Sequence, residues 1–319
     1  MSPRRVIGVD AGGTKLLGGV VDGELAVHAR AHRLWRGRER GEVLDRVVEV
    51  VEELRAAEPE AVAVGFGIPS LVDYRSGTSL SSVHLPLNDV PFRDLMSERL
   101  GLPVTVDNDA NLAALVEQRH GAARGCSEVL LLTLGTGIGG GLVLGGELYR
   151  GTFGAAGELG HMVVDVDGPP CGEGCPGNGC LEALASGSAI GREGAEAARL
   201  QPDSLLARAA GEGREVTGAL VTELAHDGDP AAIEVIARAG TFLGAGMAGL
   251  ANIFNPQAIV VGGGAIAAGE LLLGPAREEL ARRALPANRE GVRVVAAHFG
   301  VESGMLGAAV MALEGSEAS

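Results

Sequence analysis

Three of the four cysteines in this 319-residue chain lie between positions 171 and 180, with His161 just upstream and glutamates at 158 and 182 bracketing the stretch. Cys171, Cys175, Cys180 and His161 make a Cys3His set, the ligand count of a closed structural zinc site with no open position for a catalytic water. The plain alternative is a group of small core residues. An imidazole uses one ring nitrogen on a metal and keeps the other for a hydrogen bond, so a bound zinc would fix the direction of that bond. Glu158 and Glu182 then stand where they can act as ligands, as partners of the histidine or as substrate contacts. Cys126, isolated from the others, reads as a core residue.

Glycine supplies the second kind of chemistry. The 51 glycines cluster in "DAGGTK" (Asp10 to Lys15), "LGTGIGGG" (Leu134 to Gly141) and "VVGGGA". At such turns backbone N–H groups can face phosphate oxygens, and Asp10 can hold a metal-bound water. "LGTGIGGG" also fits the dinucleotide fingerprint, with Gly135, Gly137 and Gly140 as its glycines and Glu158 as a ribose acid. That fingerprint needs a helix opening at the glycines, whereas "GGGLVLGGELYRG" is too glycine-rich for one and reads as a hairpin. No G-x-x-x-x-G-K-[ST] is present. "DNDAN", Asp107 to Asn111, ends an apolar run and starts a helical one. One Asp or Asn suffices as a cap, so a further carboxylate there, held ionised by the helix dipole, is placed to take a proton from a hydroxyl.

These residues need strands and helices to hold them. "RRVIGVD" and "LLGGVVDGELAVHARAHR" read as three antiparallel strands, the last two turning tightly at Asp22-Gly23. A helical stripe follows over 39–55, then a strand in "AVAVGFGIP" and an irregular stretch over 73–92. From Glu128 the plan repeats in different letters: strand, glycine turn, strand and a hairpin at Gly145-Gly146, which suggests an internal duplication. Helical patterns fill 187–252. "QAIVVGGGAIAAGELLLGPAREEL" gives strand, glycine turn and helix, "VRVVAAHFG" a last strand and "SGMLGAAVMALE" a closing helix. The division expected is 1–113, joined by 301–319, against 114–300.

At 46% hydrophobic the chain can bury two cores of ordinary size. A net charge of −15 argues against nucleic acid and anionic membranes as partners. No run of eighteen apolar residues and no signal-peptide pattern occurs, so the expected location is the cytoplasm.

In order, "DAGGTK", "DNDAN", "LGTGIGGG", "GELGH", the cysteine cluster closing in "GCLE", and "NPQAIVVGGG" together resemble the sugar kinases of the ROK family, over essentially the whole chain. The resemblance implies an α/β protein of the actin-like ATPase (ribonuclease H-like) fold, two α/β domains around a cleft. It further implies ATP, Mg²⁺ and a structural Zn²⁺, a hexose phosphorylated on its 6-hydroxyl, and a homodimer or higher homo-oligomer. Asp109 would be the catalytic base, and Asn108, Glu158, His161 and Glu182 the sugar contacts. Asp10, Gly12, Gly13, Thr14 and Lys15 would form the first phosphate turn, Gly135, Thr136 and Gly137 the second, and Gly262, Gly263 and Gly264 would lie by the nucleotide. The family's metal motif runs C-x-C-G-x-x-G-C-x-E. Here Gly-Glu-Gly separates the first two cysteines, so Cys175, Cys180 and Glu182 align while Cys171 is the outlying ligand.

The family's repressors carry a helix-turn-helix before the first glycine turn. This chain reaches Asp10 almost at once, which with its acidity favours a kinase, and the intact Asp109 argues against a non-catalytic sugar sensor. Glucose is the expected substrate. Mannose, fructose, N-acetylmannosamine and N-acetylglucosamine are the alternatives, with the loop 76–88 and the Gly67-Ile68-Pro69-Ser70 turn setting the choice. Loss of the metal is expected to disturb the sugar residues and to spare the glycine turns.

Overall fold

Successive side chains of a strand point to opposite faces. In β1 (Arg5–Ala11) this sends Ile7, Val9 and Ala11 into one apolar cluster and Val6, with Gly8 and Asp10 in register, toward another. The computed structural model describes residues 4–35, 39–172 and 174–317. The outermost residues of the stretches 1–113 and 301–319, and Glu173 of the Gly-Glu-Gly spacer, lie outside the described residues. The chain forms two compact units. The first takes the chain up to Gly125, Gly141–Gly157 and the chain from His298; the second takes Cys126–Gly140 and Glu158–Ala297.

In the first unit β1 is followed by β2 (Lys15–Asp22), β3 (Val27–Leu34), α1 (Arg40–Ala57), β4 (Ala61–Ile68), β5 (Leu71–Asp73), β6 (Thr78–Ser81), α2 (Phe92–Leu100), β7 (Val104–Asn108) and α3 (Asp109–Arg119). The main sheet has the order β3-β2-β1-β4-β7, antiparallel through its opening strands and parallel from β1 to β7. Helix α1 buries Val43, Val47, Val50, Val51 and Leu54 in the cluster that holds Ile7 and Val9. The expected tight turn at Asp22-Gly23 is wider: Asp22 accepts the N–H groups of Glu24 and Ala26, and Leu25 takes a left-handed φ of 63°. The stretch 73–92 is partly ordered as the β5–β6 hairpin. Helix α2 has too few turns for a periodic signal. It is fixed by Phe92 packing edge-on to Phe66 at 5.3 Å and by Gly101 ending it at φ 64°.

The second run of elements is β8 (Val129–Leu134), β9 (Ile138–Leu144), β10 (Glu147–Leu148), β11 (Pro170–Gly172), β12 (Cys175–Asn178), α4 (Leu181–Ala185), α5 (Gly187–Leu200), α6 (Leu205–Gly211), α7 (Gly218–His226), α8 (Pro230–Phe254), β13 (Ala258–Gly262), α9 (Glu270–Arg283), α10 (Pro286–Gly291), β14 (Arg293–Ala296) and α11 (Ser303–Glu317). Its sheet has the order β10-β9-β8-β13-β14, so the plan of the first sheet is repeated, as an internal duplication requires. Residues 138–144 are a strand, not a helix, which removes the dinucleotide reading. The Gly145-Gly146 turn has positive φ at both residues, the type I′ geometry of a two-residue hairpin. Helix α8 is long and apolar enough to span a bilayer, but it is a core helix. Its Gly240 and Gly244 let it lie against the backbone of α9, where an added Cβ would stand 2.4 Å from the Leu272 carbonyl and 2.3 Å from that of Ala276.

Glycine has a structural use in the first unit that the glycine-rich motifs conceal. Gly19, Gly8 and Gly65 are cross-strand neighbours, and together they make a bare strip across the sheet. Helix α11 lies along it. A Cβ on Gly8 would meet the Met305 carbonyl at 2.2 Å and one on Gly65 the Ala308 carbonyl at 1.9 Å. Gly65→Ala is therefore expected to cost about 2 kcal/mol or more of stability by overpacking. Gly23→Ala, where a Cβ meets nothing within 4 Å, should stay within about 0.5 kcal/mol of wild type. Denaturant unfolding of the two variants side by side measures the difference.

Candidate active site and metal centre

In the first unit, Asp10 is the penultimate residue of β1 and Asp109 opens α3, and the two carboxylates are electrostatic neighbours. Asp109 stands over β4, its Cα 3.6 Å from where a Cβ on Gly67 would be. Asn108 caps α3, its side-chain oxygen accepting the N–H groups of Ala110 and Asn111, while its amide nitrogen donates to the Ser70 carbonyl at 3.3 Å. Asp107 is committed elsewhere. It accepts hydrogen bonds from the Asn108 N–H, the Asn111 side chain at 3.0 Å and Arg150 Nε at 2.6 Å, and it is 1% exposed. Of the acids in "DNDAN", only Asp109 is placed to meet a substrate.

Both Asp10 and Asp109 keep part of their surface accessible, yet protein rings them closely enough for lost hydration to dominate. Burial, with the Asp109 charge adding to it and Lys15 opposing, pushes Asp10 from 3.8 up to about 7. Burial also raises Asp109, against the Ala110 N–H and the His84 charge. At the start of α3, desolvation opposes the helix dipole and raises the proton affinity of Asp109.

The first glycine turn is shaped by Trp35, whose backbone N–H donates to the Thr14 carbonyl at 3.1 Å and whose indole N–H donates to the Gly12 carbonyl at 2.8 Å. In a trans peptide the N–H is opposite the carbonyl, so the Gly13 and Lys15 amides point away from Trp35. Four residues here carried no clear sequence signal. Trp35 lies outside the motif. Gly304 leaves room for Asp10, whose Cγ would be 2.8 Å from an added Cβ. His84 Cβ would stand 3.1 Å from a Cβ on Gly13, presented by a turn in which Ser82 Oγ accepts the Leu85 N–H. Arg150 pairs with Asp107 from 43 positions away.

The second unit brings the other predicted residues together. Gly262 pairs with Thr133, and Gly263, at φ 84°, would place a Cβ 2.4 Å from the Leu134 carbonyl. The segments Gly135-Thr136-Gly137 and Gly262-Gly263-Gly264 therefore lie side by side at the ends of β8 and β13. Nearby, the ligand atoms of His161, Cys171, Cys175 and Cys180 all fall within 4.8 Å of one another. Cys175 and Cys180 sulfurs are 3.8 Å apart, and Cys171 Sγ is 3.4 Å from His161 Nδ1. A tetrahedron with Zn–S bonds of about 2.3 Å has edges of about 3.8 Å, so the residues fit a zinc ion. Cys171, the outlier in sequence, is a full member of the cluster.

Local backbone explains the convergence. A bridge pairs Val163 with Cys180, which sets His161 beside the cysteines. Gly179, at φ 64°, brings the chain so near the Asp165 carbonyl that a Cβ would be 1.5 Å from it. The Gly177 N–H faces Cys175 and holds its thiol below the usual range. With Nδ1 toward the sulfurs, His161 turns Nε2 toward Glu158, 3.8 Å from its Oε2. Cys126 is buried, the core residue it was expected to be. The cysteine–histidine cluster is not remote from the second glycine turn: Glu182 accepts the Ile138 N–H at 2.7 Å.

The raised Asp10 sets a pH dependence. The folded protein keeps a proton that the unfolded chain releases between pH 3.8 and about 7, so stability falls as pH rises across that window and stays reduced above it. Asp10→Asn mimics the protonated form. Without ligands it should melt about 3 °C or more above wild type at pH 8, and the gap should close below pH 4. A gap of equal size at both pH values would contradict this assignment.

Comparison with known proteins bears on the whole chain. The ROK family model matches residues 6–315. A glucokinase of Thermotoga maritima is 38% identical over 313 residues, 97% of each chain. The crystal structure of a ROK family glucokinase from Streptomyces griseus, in complex with glucose and AMPPNP, superposes with a TM-score of 0.86 at 37% identity, covering 97% of this chain and 99% of that one. A ROK hexokinase from Thermus thermophilus gives a TM-score of 0.78 at 34% identity, covering 99% of this chain and 100% of the other. The chain belongs to the ROK family and has its actin-like ATPase fold.

Proposed function

We propose that this protein is an ATP-dependent sugar kinase that phosphorylates the 6-hydroxyl of a hexose, with glucose as the preferred acceptor. The observation that carries the reading is the pairing of Asp109 with Asp10, at the head of α3 and beside the first glycine turn, while Asp107 is consumed by Arg150. The glucokinase relatives, one of them seen with glucose and AMPPNP, support the same assignment.

Phosphoryl transfer depends on positioning and on spreading charge over donors already in place. The amides of the glycine turns and Lys15 would meet the phosphate oxygens. Asp10 would hold Mg²⁺ through water, and the ion would neutralise charge on the β- and γ-phosphates. As the sugar O6–phosphorus bond forms and the bond to the β-phosphate oxygen breaks, Asp109 takes the hydroxyl proton and ADP leaves. The raised proton affinity of Asp109 suits a base better than an ordinary surface carboxylate would. Asn108 caps α3 yet has a second amide N–H for a sugar hydroxyl. Glu158, His161 and Glu182 would contact the other hydroxyls, and a structural zinc would supply fixed geometry for His161 and no chemistry of its own.

Purified protein with Mg-ATP should phosphorylate glucose faster than mannose, fructose or the N-acetylated hexosamines at matched concentrations. A protein that bound glucose but turned over none of the panel would be a sensor instead. Asp109→Asn should lower kcat by about 10²-fold or more with a much smaller change in sugar affinity.

For the metal, elemental analysis should find about one zinc per chain. Cys171→Ala should lose it as readily as Cys175→Ala and Cys180→Ala, because its sulfur is part of the same tetrahedron. Retention of full zinc by Cys171→Ala alone would place that cysteine outside the site.

A further inference from the structure

The second glycine turn is held in shape by the segment that leaves the metal cluster. Its three carbonyls are all engaged: the Gly187 N–H donates to Gly135 at 2.8 Å, the Ser188 N–H to Thr136 at 3.3 Å, and the Gly135 N–H to Gly137 at 2.9 Å. Since each N–H opposes the carbonyl of its own peptide plane, the Thr136 and Gly137 amides are turned away from the start of α5. The last plane of the turn, Gly137–Ile138, is gripped at both ends. Its carbonyl takes the Gly135 N–H, and its N–H goes to Glu182 Oε2 at 2.7 Å. A Cβ on Gly137 would stand 2.2 Å from that same oxygen, so the glycine makes room for the carboxylate.

Glu182 lies two residues after Cys180, which is 1% exposed and begins α4 as its N-cap. The Leu181 N–H is tied to the Met162 carbonyl at 2.9 Å, next to His161. A bond from a backbone N–H to an ionised carboxylate is among the stronger hydrogen bonds a protein makes.

We propose that Glu182 is a positioning residue for the nucleotide: through the Ile138 N–H it fixes the second glycine turn, and so carries the order imposed at the metal cluster to the phosphate-binding amides. This rests on the kinase reading, and it goes beyond a role for Glu182 as a contact to sugar. A pure sugar contact would leave nucleotide affinity untouched when no sugar is present, whereas a positioning residue would not.

The test is calorimetric binding of Mg-AMPPNP to the zinc-loaded protein without sugar. Glu182→Ala should weaken binding about tenfold or more. Glu182→Gln, whose amide oxygen still accepts the Ile138 N–H, should stay within about threefold of wild type. Glu158→Ala, on the far side of His161, should leave nucleotide affinity unchanged. Wild-type affinity in a folded Glu182→Ala protein overturns the proposal. If that variant does not fold, wild-type protein stripped of metal by a chelator, its fold checked by circular dichroism, replaces it. Its Mg-AMPPNP affinity should fall and should return with added Zn²⁺, and an unchanged affinity overturns the proposal equally. Failure of wild-type, zinc-loaded protein to bind Mg-AMPPNP at all would instead sink the kinase reading.

Discussion

The seating of α11 on the glycine strip of the first sheet is the constraint on which the candidate catalytic group depends. Gly8 and Gly65 bring a helix backbone to within contact of a sheet, closer than a side chain at those positions would allow, and Gly19 leaves room for the Met305 side chain. The helix that fits there presents Gly304 to the Asp10 carboxylate and Gly307 to the Leu112 carbonyl of α3. Helix α3 in turn begins with Asp109. Two carboxylates from distant parts of the sequence are therefore set against each other by one close backbone approach. Burial first, and then the Asp109 charge, raises the proton affinity of Asp10, an electrostatic cost in the ligand-free protein that a bound cation would relieve.

Much of this was legible in the sequence, for a physical reason. Strands buried on both faces are near-continuous apolar runs, and "VIGVD", "AVAVGFGI" and "AIVVG" declare themselves. A glycine turn after such a run, or an Asn-Asp pair before a helical stripe, is decided by neighbours a few residues away. What escaped was decided by distant partners. Helix α2 is stabilised by Phe66, Asp107 is neutralised by Arg150, and the first glycine turn is shaped by Trp35. The Asp22-Gly23 turn failed differently: the carboxylate of Asp22 takes two backbone N–H groups and a contact from His28, which favours a wider loop than the dipeptide alone suggests. The glycines of the strip were in plain sight, yet only the cross-strand register shows which one from each strand belongs to it.

The metal cluster shows the converse. Its four candidate ligands were readable from residue type, since few alternatives explain clustered cysteines, but their spacing set Cys171 apart. The structure resolves this through backbone conformation. Gly172 and Gly174 take φ values of 121° and 85°, which lets the chain turn back so that Gly172 pairs with Cys175. With Gly172 and Gly174 so placed, Cys171 and Cys175 meet despite a spacer longer than the usual motif.

The duplicated strand plan also sets two glycine turns that are shaped in different ways. Each unit opens with two strands joined by a glycine turn, and each turn requires an outside agent to fix its peptide planes. In the first, an indole and its own backbone N–H suffice, because Trp35 is anchored by packing against a large apolar cluster. In the second, the agent is the segment from Cys180 to Ser188, and the stretch feeding into it is a poor core former. Residues 163–178 are half-buried or exposed wherever described, and five of the glycines between 168 and 179 leave little side chain to pack. A segment that buries so little cannot offset its own conformational entropy through the hydrophobic effect. A metal ion on the proposed site would supply the missing constraint through four ligands, and Glu182 stands two residues from the last of these candidates.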